Sequence, residues 1–324
     1  MASWLLRRLI QALIVMLAMT IIVFVGLHMI GDPIEVLVSP DANQQERQQV
    51  ITALGLDQPL WRQYIAFLGG AVHGNLGTSF VYGRSAVDVI LERMPATIEL
   101  AVSAVILSVA VGIPLGLYAG LRPKAFLSRT LMALSIFGFS LPSFWVALLF
   151  IMAFSVQLGW FPSSGRGETV SVLGVSWSLF TLDGLSHLAL PAMNLALFQI
   201  SLIMRLTRAG VQEVMQLEFI KFARAKGLSE VRIVGVHVLK NVMIPVVTVV
   251  GLEFGTLIAF AVVTESIFAW PGMGKLLIDS IYVLDRPMIV AYLIIVVSVF
   301  VLINLVVDIL YTVLDPRVRI SEEK

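Results

Sequence analysis

The stretch EFIKFARAKGLSEVRIVGVHVLKN, residues 218–241, decides how the chain is to be read. It carries Glu218, Lys221, Arg224, Lys226, Glu230, Arg232 and Lys240, whereas the runs on either side are long and apolar. Taken as a helix, its first half sets Phe219, Phe222 and Ala223 on one face and Glu218, Lys221 and Arg224 on another. Gly227, with no Cβ to oppose a left-handed conformation, predicts the stop. Ser229 then predicts an N-cap for a second helix through Val231, Val234, Val238 and Leu239. Such a helix–turn–helix elbow has two readings. It is a basic amphipathic segment lying on anionic headgroups, or a knob that fits a protein partner's groove. A surface anchor needs no sharp glycine turn in its middle.

Outward from the elbow the chain is oily. Of 324 residues, 58% are hydrophobic and 13% charged, against about 25% charged in soluble domains. Most of the chain is therefore predicted to have lipid as its solvent. Six runs are long and apolar enough to cross a bilayer, which takes roughly 20 residues. They are Leu9–Ile30, Leu100–Leu121, Thr130–Val156, Leu188–Met204, Val242–Val263 and Ile289–Leu310. The first follows Arg7 and Arg8 as a signal peptide would. It is longer than an h-region of about 7–15 residues and no small-x-small cleavage site follows it, so it is predicted to remain as a span.

An N-terminus in the cytoplasm divides the 22 Lys and Arg fifteen inside to seven outside, on much shorter inside segments. That is the bias that orients membrane helices. Both termini are then predicted to be cytoplasmic, and the elbow falls in the inside loop between the fourth and fifth spans. There is no cysteine, and His28, His73, His187 and His237 show no ligand spacing, so no metal site is predicted. No GxxxxGK[ST] phosphate loop occurs; GMGKL at 272–276 has the wrong spacing. If ATP drives this protein, a partner must bind it. Membrane lipid is the expected surrounding, and no nucleic acid is expected.

The largest piece outside the spans, residues 31–99, is predicted to be a small ordered cap. Ser39-Pro40-Asp41 resembles an N-cap with Pro at N1, Gly55 suits a C′ position, and Val50, Ile51 and Leu54 make one apolar face. A second short helix is predicted around Trp61–Leu68, ending at Gly69-Gly70. The loop Gln157–Ser186, rich in Ser and Gly, is expected to be mobile. Pro114, Pro142, Pro191 and Pro245 lie inside spans, as packing kinks or as hinges. The pairs Gly112/Gly116 and Gly251/Gly255 would let helices approach closely.

Ionisable and polar groups inside spans are functional candidates by default. Glu253, Asn194 and Gln199 are the candidates for a translocation pathway; Asp308, near the inner boundary, is expected to make a structural tie. The segment FAWPGMGKLLIDS is too short to span. Pro271, Gly272 and Gly274 predict a turn before an apolar helix, either a cap over the pathway or a surface belt with Trp270 at the headgroups.

At the elbow the chain resembles a family. ARAKGL at 223–228, with Glu218 before it and HVLKN and IPVVT after it, looks like the cytoplasmic coupling loop of ABC importer permeases. More narrowly it resembles the dipeptide/oligopeptide-type permeases, a group that includes nickel and glutathione importers. HMIGDP (28–33), LGLDQPLWRQY (54–64), GNLGTSF (74–80) and MPATIELA (94–101) match the first half of that pattern. GIPLGLYAGL (112–121), SLPSFWVALL (140–149), TESIFAWPGMGKLLIDSI (264–281) and NLVVDILYTVLDPRVR (304–319) continue it. The resemblance covers nearly the whole chain. The general motif has Glu-Ala-Ala six residues before a glycine; here Lys221, Phe222 and Ala223 stand before Gly227, and Lys240 replaces a frequent proline. The departures leave individual contact residues open.

The resemblance implies an all-α integral membrane protein with six transmembrane helices and a type I, methionine-importer-like permease core. Residues 1–30 would be the cytoplasmic tip and first span, 31–99 a periplasmic cap, 100–313 the core with a coupling loop over 205–241, and 314–324 a cytoplasmic tail. It implies ATPase coupling through Glu218, Lys221, Phe222, Ala223, Arg224, Ala225, Lys226, Gly227 and Leu228. It implies an outer gate or cap at Phe268, Trp270, Pro271, Gly272 and Gly274. The implied partners are a second homologous permease subunit forming a heterodimer, two ATPase subunits carrying ATP and Mg, and a periplasmic or lipid-anchored solute-binding protein. Di- and oligopeptides are the expected cargo, with nickel or glutathione as the alternative, in a bacterial inner membrane. From other classes, an ATP-independent secondary carrier predicts inverted repeats, and no matching halves are visible. A passive channel or scaffold would not need the elbow. An enzyme would need a nucleophile and base that the spans do not offer.

Overall fold

The computed structural model describes residues 2–29, 44–53 and 57–314. The predicted N-cap at Ser39-Pro40-Asp41, and Leu54 and Gly55, lie outside them. In chain order the described helices are α1 (Ala2–Met29), α2 (Gln44–Ala53), α3 (Leu60–Val72), α4 (Ala86–Leu121), α5 (Phe126–Ser140) and α6 (Ser143–Phe150). A π-helical segment, Ile151–Gln157, continues α6. After a short hairpin come α7 (Leu182–Val214) and α8 (Glu218–Ala225). Glu230–Arg232, a π-helical segment Ile233–Val238 and Leu239–Ile267 run on as one helix, α9 (Glu230–Ile267). Last are α10 (Met273–Tyr282) and α11 (Arg286–Leu314).

Among the described residues five helices, α1, α4, α7, α9 and α11, are long and apolar enough to cross a membrane. The sixth expected span, Thr130–Val156, is a broken pair: Phe126–Gly138 and Ser143–Gln157 meet at 109°. Pro142 is the physical reason. It holds a φ of −60° with an extended ψ of 130°, Leu141 before it is extended too, and the helix restarts only after it. Hydropathy averages over this turn. Several helices also overshoot their predicted spans. At about 1.5 Å per residue, the 36 residues of α4 and the 33 of α7 exceed a hydrocarbon core of about 30 Å.

The chain divides into two compact units, residues 1–94 with 276–301, and 95–275 with 302–324. In the first, α1 meets α3 through Thr20 and Tyr64, whose hydroxyls are 2.9 Å apart, and through Phe24 against Tyr64 and Phe67. Helix α3 runs through Gly69-Gly70, where a stop is predicted, and ends at His73, before Gly74 at φ +75°. Asp285, fully buried, ties down the loop before α4: it accepts from the Ser79 hydroxyl and from the backbone N–H groups of Phe80 and Val81.

The second unit is built around α7, the most buried of the long helices. Thr181 caps its start by accepting from Gly184 N at 2.9 Å. Helix α4 approaches it along three small residues, Gly112, Gly116 and Gly120. A Cβ at Gly116 would lie 2.6 Å from the Met204 carbonyl oxygen and from Thr207 Cβ, and one at Gly120 2.6 Å from Val211 Cβ. The Gly112/Gly116 pair is thus a helix contact extended by one more turn. Gly251 of α9 likewise faces Val307 of α11.

The loop expected to be mobile is instead pinned. Strands β1 (Val170–Val172) and β2 (Val175–Trp177) pair antiparallel across a turn whose Leu173 and Gly174 both have positive φ, 54° and 79°, as two-residue hairpins require. Arg166 and the backbone of Ser178 and Leu179 bind the carboxylate of Glu99, which is fully buried.

Candidate functional site

Two features stand out within the second unit: the elbow and a polar-lined cavity beside α7. The eight residues of α8 form the elbow's first arm, which ends where Gly227 takes φ +78°. Its N–H donates to the Arg224 carbonyl at 2.9 Å, and Leu228 N donates to the Ala223 carbonyl at 3.3 Å, so two carbonyls of the arm's last turn are satisfied. Ser229 occupies the N-cap position of α9 with extended backbone, but its side chain makes no capping bond.

Burial divides the face that spacing gives to Phe219, Phe222 and Ala223. Ile220 and Ala223 are buried, whereas Phe219 and Phe222 are exposed, Phe222 at 62%. Ile220 and Ala223 join Ile203, Val211 and Val214 of α7 and Ile233, Val238, Val242 and Val246 of α9 in one hydrophobic cluster. Both readings of an α8 face are compatible with helical spacing; the cluster formed by the flanking helices selects the Ile220/Ala223 edge. The elbow is therefore fused to the ends of two long helices.

Its other face is polar and open. Lys221 pairs with Glu218 at 2.7 Å, Arg224 binds Glu230 across the glycine turn at 2.7 and 3.3 Å, and the Lys226 ammonium lies 4.6 Å from the centre of the Phe222 ring. The bond to Glu230 raises the Arg224 guanidinium above its ordinary value. Ala225, Lys226 and Gly227 are exposed and Leu228 is half-buried. A Cβ on Gly227 would meet nothing within 4 Å.

The three pathway candidates come together. Asn194 and Gln199 of α7 and Glu253 of α9 line one cavity of about 420 Å³, with Gly138, Ser143, Thr256, Phe260 and Thr264 among its other walls. Asn194 donates to Thr264 Oγ1 at 2.9 Å, and Gln199 pairs with Ser108 Oγ at 3.0 Å. Asp308, half-buried on α11, does not line this cavity.

The proposed cap residues are buried, which overturns the belt reading for Trp270. Its ring is fully buried, its Nε1 donates to the Ala96 carbonyl at 2.9 Å, and the Arg166 guanidinium lies 5.7 Å from the ring centre. Phe268 is buried, its carbonyl accepting from Gly165 N at 2.8 Å. Gly272 and Gly274 are buried and Pro271 half-buried. Gly274 belongs to α10, not to the turn; the positive φ falls on Ala269, at 46°.

Sequence reasoning missed Glu265 and Glu99. Glu265 is fully buried at the far end of α9, where it accepts from Thr97 Oγ1 at 2.7 Å and from Lys275 N at 3.0 Å. Thr97 Oγ1 in turn accepts from Met273 N at 2.8 Å. Both acids sit near the predicted ends of apolar runs, and their side-chain partners, Arg166 and Thr97, lie 67 and 168 residues away, which leaves little local signal.

Residues 112–320 match the family of binding-protein-dependent transport system inner membrane components, and residues 1–101 match that family's N-terminal component. The chain belongs to this family. It is 38% identical to the dipeptide transport system permease protein DppB of Escherichia coli, over 98% of this chain and 99% of that protein. The di/tripeptide permease DppB of Pseudomonas aeruginosa is 38% identical over 98% and 99%. The oligopeptide permease AppB of Bacillus subtilis is 37% identical over 98% and 100%. A chain of the inward-facing MetNI methionine ABC transporter superposes with a TM-score of 0.55 at 18% identity, covering 70% of this chain and 96% of that one. At that identity the likeness shows the fold, and the fold is the expected one, an all-α ABC importer permease. The chain is a multi-pass inner-membrane permease subunit that works with other subunits, and it is not itself the catalytic one.

Proposed function

We propose that this chain is the permease subunit of an ATP-driven importer of di- and oligopeptides. The observation that carries the reading is near-full-length similarity to three permeases whose names specify dipeptide, di/tripeptide and oligopeptide transport. In this proposal a second homologous permease completes the pathway. Two ATPase subunits, holding ATP and Mg, cover the elbow on the cytoplasmic side. A periplasmic or lipid-anchored solute-binding protein delivers cargo to the opposite face. The fifteen-to-seven division of Lys and Arg supports cytoplasmic termini and a cytoplasmic tail.

Coupling runs through Glu218–Leu228. The exposed knob of Lys221, Phe222, Arg224, Ala225, Lys226 and Gly227 seats in a cleft of the ATPase. Closure of the paired ATPases carries the knobs with it. Because Ile220 and Ala223 are buried among α7 and α9 side chains, displacement of the knob is transmitted to both helices as a packed body, which switches access between the two sides. The residues from Phe268 to Gly274 close the pathway at its outer end, and the Asn194–Gln199–Glu253 cavity lies along it.

The test is uptake of labelled Ala-Ala by membranes holding the whole transport system, with excess oligopeptide, glutathione or nickel as competitors. ATP-dependent uptake that oligopeptide suppresses is the expected result. Uptake that persists without ATP would establish a secondary carrier, and accumulation of nickel or glutathione with no dipeptide uptake would overturn the cargo.

A further inference from the structure

The cavity beside α7 has hydrogen-bonding capacity that the protein leaves unused. Asn194 is 4% exposed and Gln199 1%. The Asn194 Nδ2 group is engaged by Thr264, but its Oδ1 is buried with no partner among the described residues. As placed, the Gln199 amide pairs with Ser108 through Oε1, and its Nε2 is buried with no partner among the described residues. Ser108 has a single hydroxyl proton, and the Val105 carbonyl lies 2.9 Å from that oxygen to receive it. The Gln199 amide is then best turned so that its nitrogen donates to Ser108, which leaves its oxygen free. Glu253, half-buried on the facing helix, has no hydrogen bond or ion pair among the described residues.

Burying a polar atom without a partner is costly, and native proteins carry few such atoms. Here two amide oxygens and one carboxylate share a single cavity. All three accept; none donates. Their complement is a cation with several N–H donors. Most of the rest of the wall, including Val146, Leu195, Leu257 and Phe260, is apolar and indifferent to side-chain identity, with the hydroxyls of Ser143, Thr256 and Thr264 its other polar groups. The volume, about 420 Å³, lies in the range of small-ligand sites, about 300–1,000 Å³.

Resting on the importer reading above, we propose that this cavity is a station for the N-terminus of a peptide in transit, with its α-ammonium group on Glu253 and its remaining N–H donors on the amide oxygens of Asn194 and Gln199. Every peptide with a free N-terminus carries that group, so the station reads the class while the apolar wall ignores the sequence. Selection for a free amine would then be made in the membrane, by this subunit, in addition to any selection by a binding protein.

The experiment measures equilibrium binding of labelled Ala-Ala and of N-acetyl-Ala-Ala to the purified permease–ATPase complex in lipid nanodiscs without the binding protein, alongside uptake by the complete system. Wild type is expected to bind Ala-Ala about tenfold or more tightly than the acetylated form, the scale of one charge-assisted hydrogen bond. Glu253→Gln is expected to weaken Ala-Ala by a similar factor and to erase the preference, and Glu253→Asp to keep most of it. Co-purification of the ATPase with each variant shows that it is assembled. Equal binding of the two peptides by wild type, unchanged preference in Glu253→Gln, or no binding while Ala-Ala uptake is intact would each overturn this station alone. A wild-type system that transports no peptide would overturn the importer reading with it.

Discussion

The two ends of α9 are finished in opposite ways. At its far end Glu265, Thr97, Met273 N and Lys275 N bond to one another, Trp270 reaches back to Ala96, and Arg166 closes on Glu99, all within the protein. At the elbow end the ion pairs lie in water, Phe222 and Val231 are 62% and 84% exposed, and space is open around Gly227. One end has satisfied its polar groups internally, as burial demands. The other has buried only the Ile220/Ala223 edge that ties it to the helices. The first arrangement holds a fold; the second leaves a surface to be covered, which is what the coupling proposal requires.

Substitutions should therefore act on stability at one end and on transport at the other. The largest effect is expected from Arg166→Ala, which strips the Glu99 carboxylate of its ion partner in a fully buried site. Breaking a buried pair costs roughly 3–5 kcal/mol, and thermal unfolding of the purified complex and its abundance in the membrane should both fall. Next is Gly116→Leu, where the added side chain meets Met204 and Thr207; overpacking costs about 1–3 kcal/mol, read in the same assay. The smallest is Arg224→Ala at the elbow. Its pair with Glu230 is exposed, and such pairs contribute little to stability. Stability should hardly move, so a transport defect in that variant would belong to the ATPase contact.

Much of this was legible in the sequence, but unevenly. Apolar runs are a local signal, and the five long helices follow from them. So does the glycine turn at Gly227, because a left-handed residue is a local demand. Pro142 was visible, yet its consequence, a 109° break instead of a kink, depends on Leu141 remaining extended as well. Which edge of α8 is buried is not legible in its own spacing, because only the flanking helices decide that Ile220 and Ala223 are covered while Phe219 and Phe222 stay exposed. Asn194, Gln199 and Glu253 were found individually as polar residues in oily runs; that they share a cavity is a tertiary fact. Glu99, Glu265 and their partners were not legible at all. A buried acid is identified by its donors, and those donors lie in other segments.

The central claim is that force enters through the elbow, and Ala225→Trp tests it most directly. Ala225 is exposed at the tip of the first arm, and its substitution requires no left-handed backbone, unlike Gly227→Trp. The measurement is ATP-dependent Ala-Ala uptake by the complete system, with the variant's membrane abundance quantified in parallel. The account predicts uptake at background with the permease present at its wild-type level. Wild-type uptake in that variant would contradict it, and would leave residues 218–241 as a segment that only rests on the membrane surface.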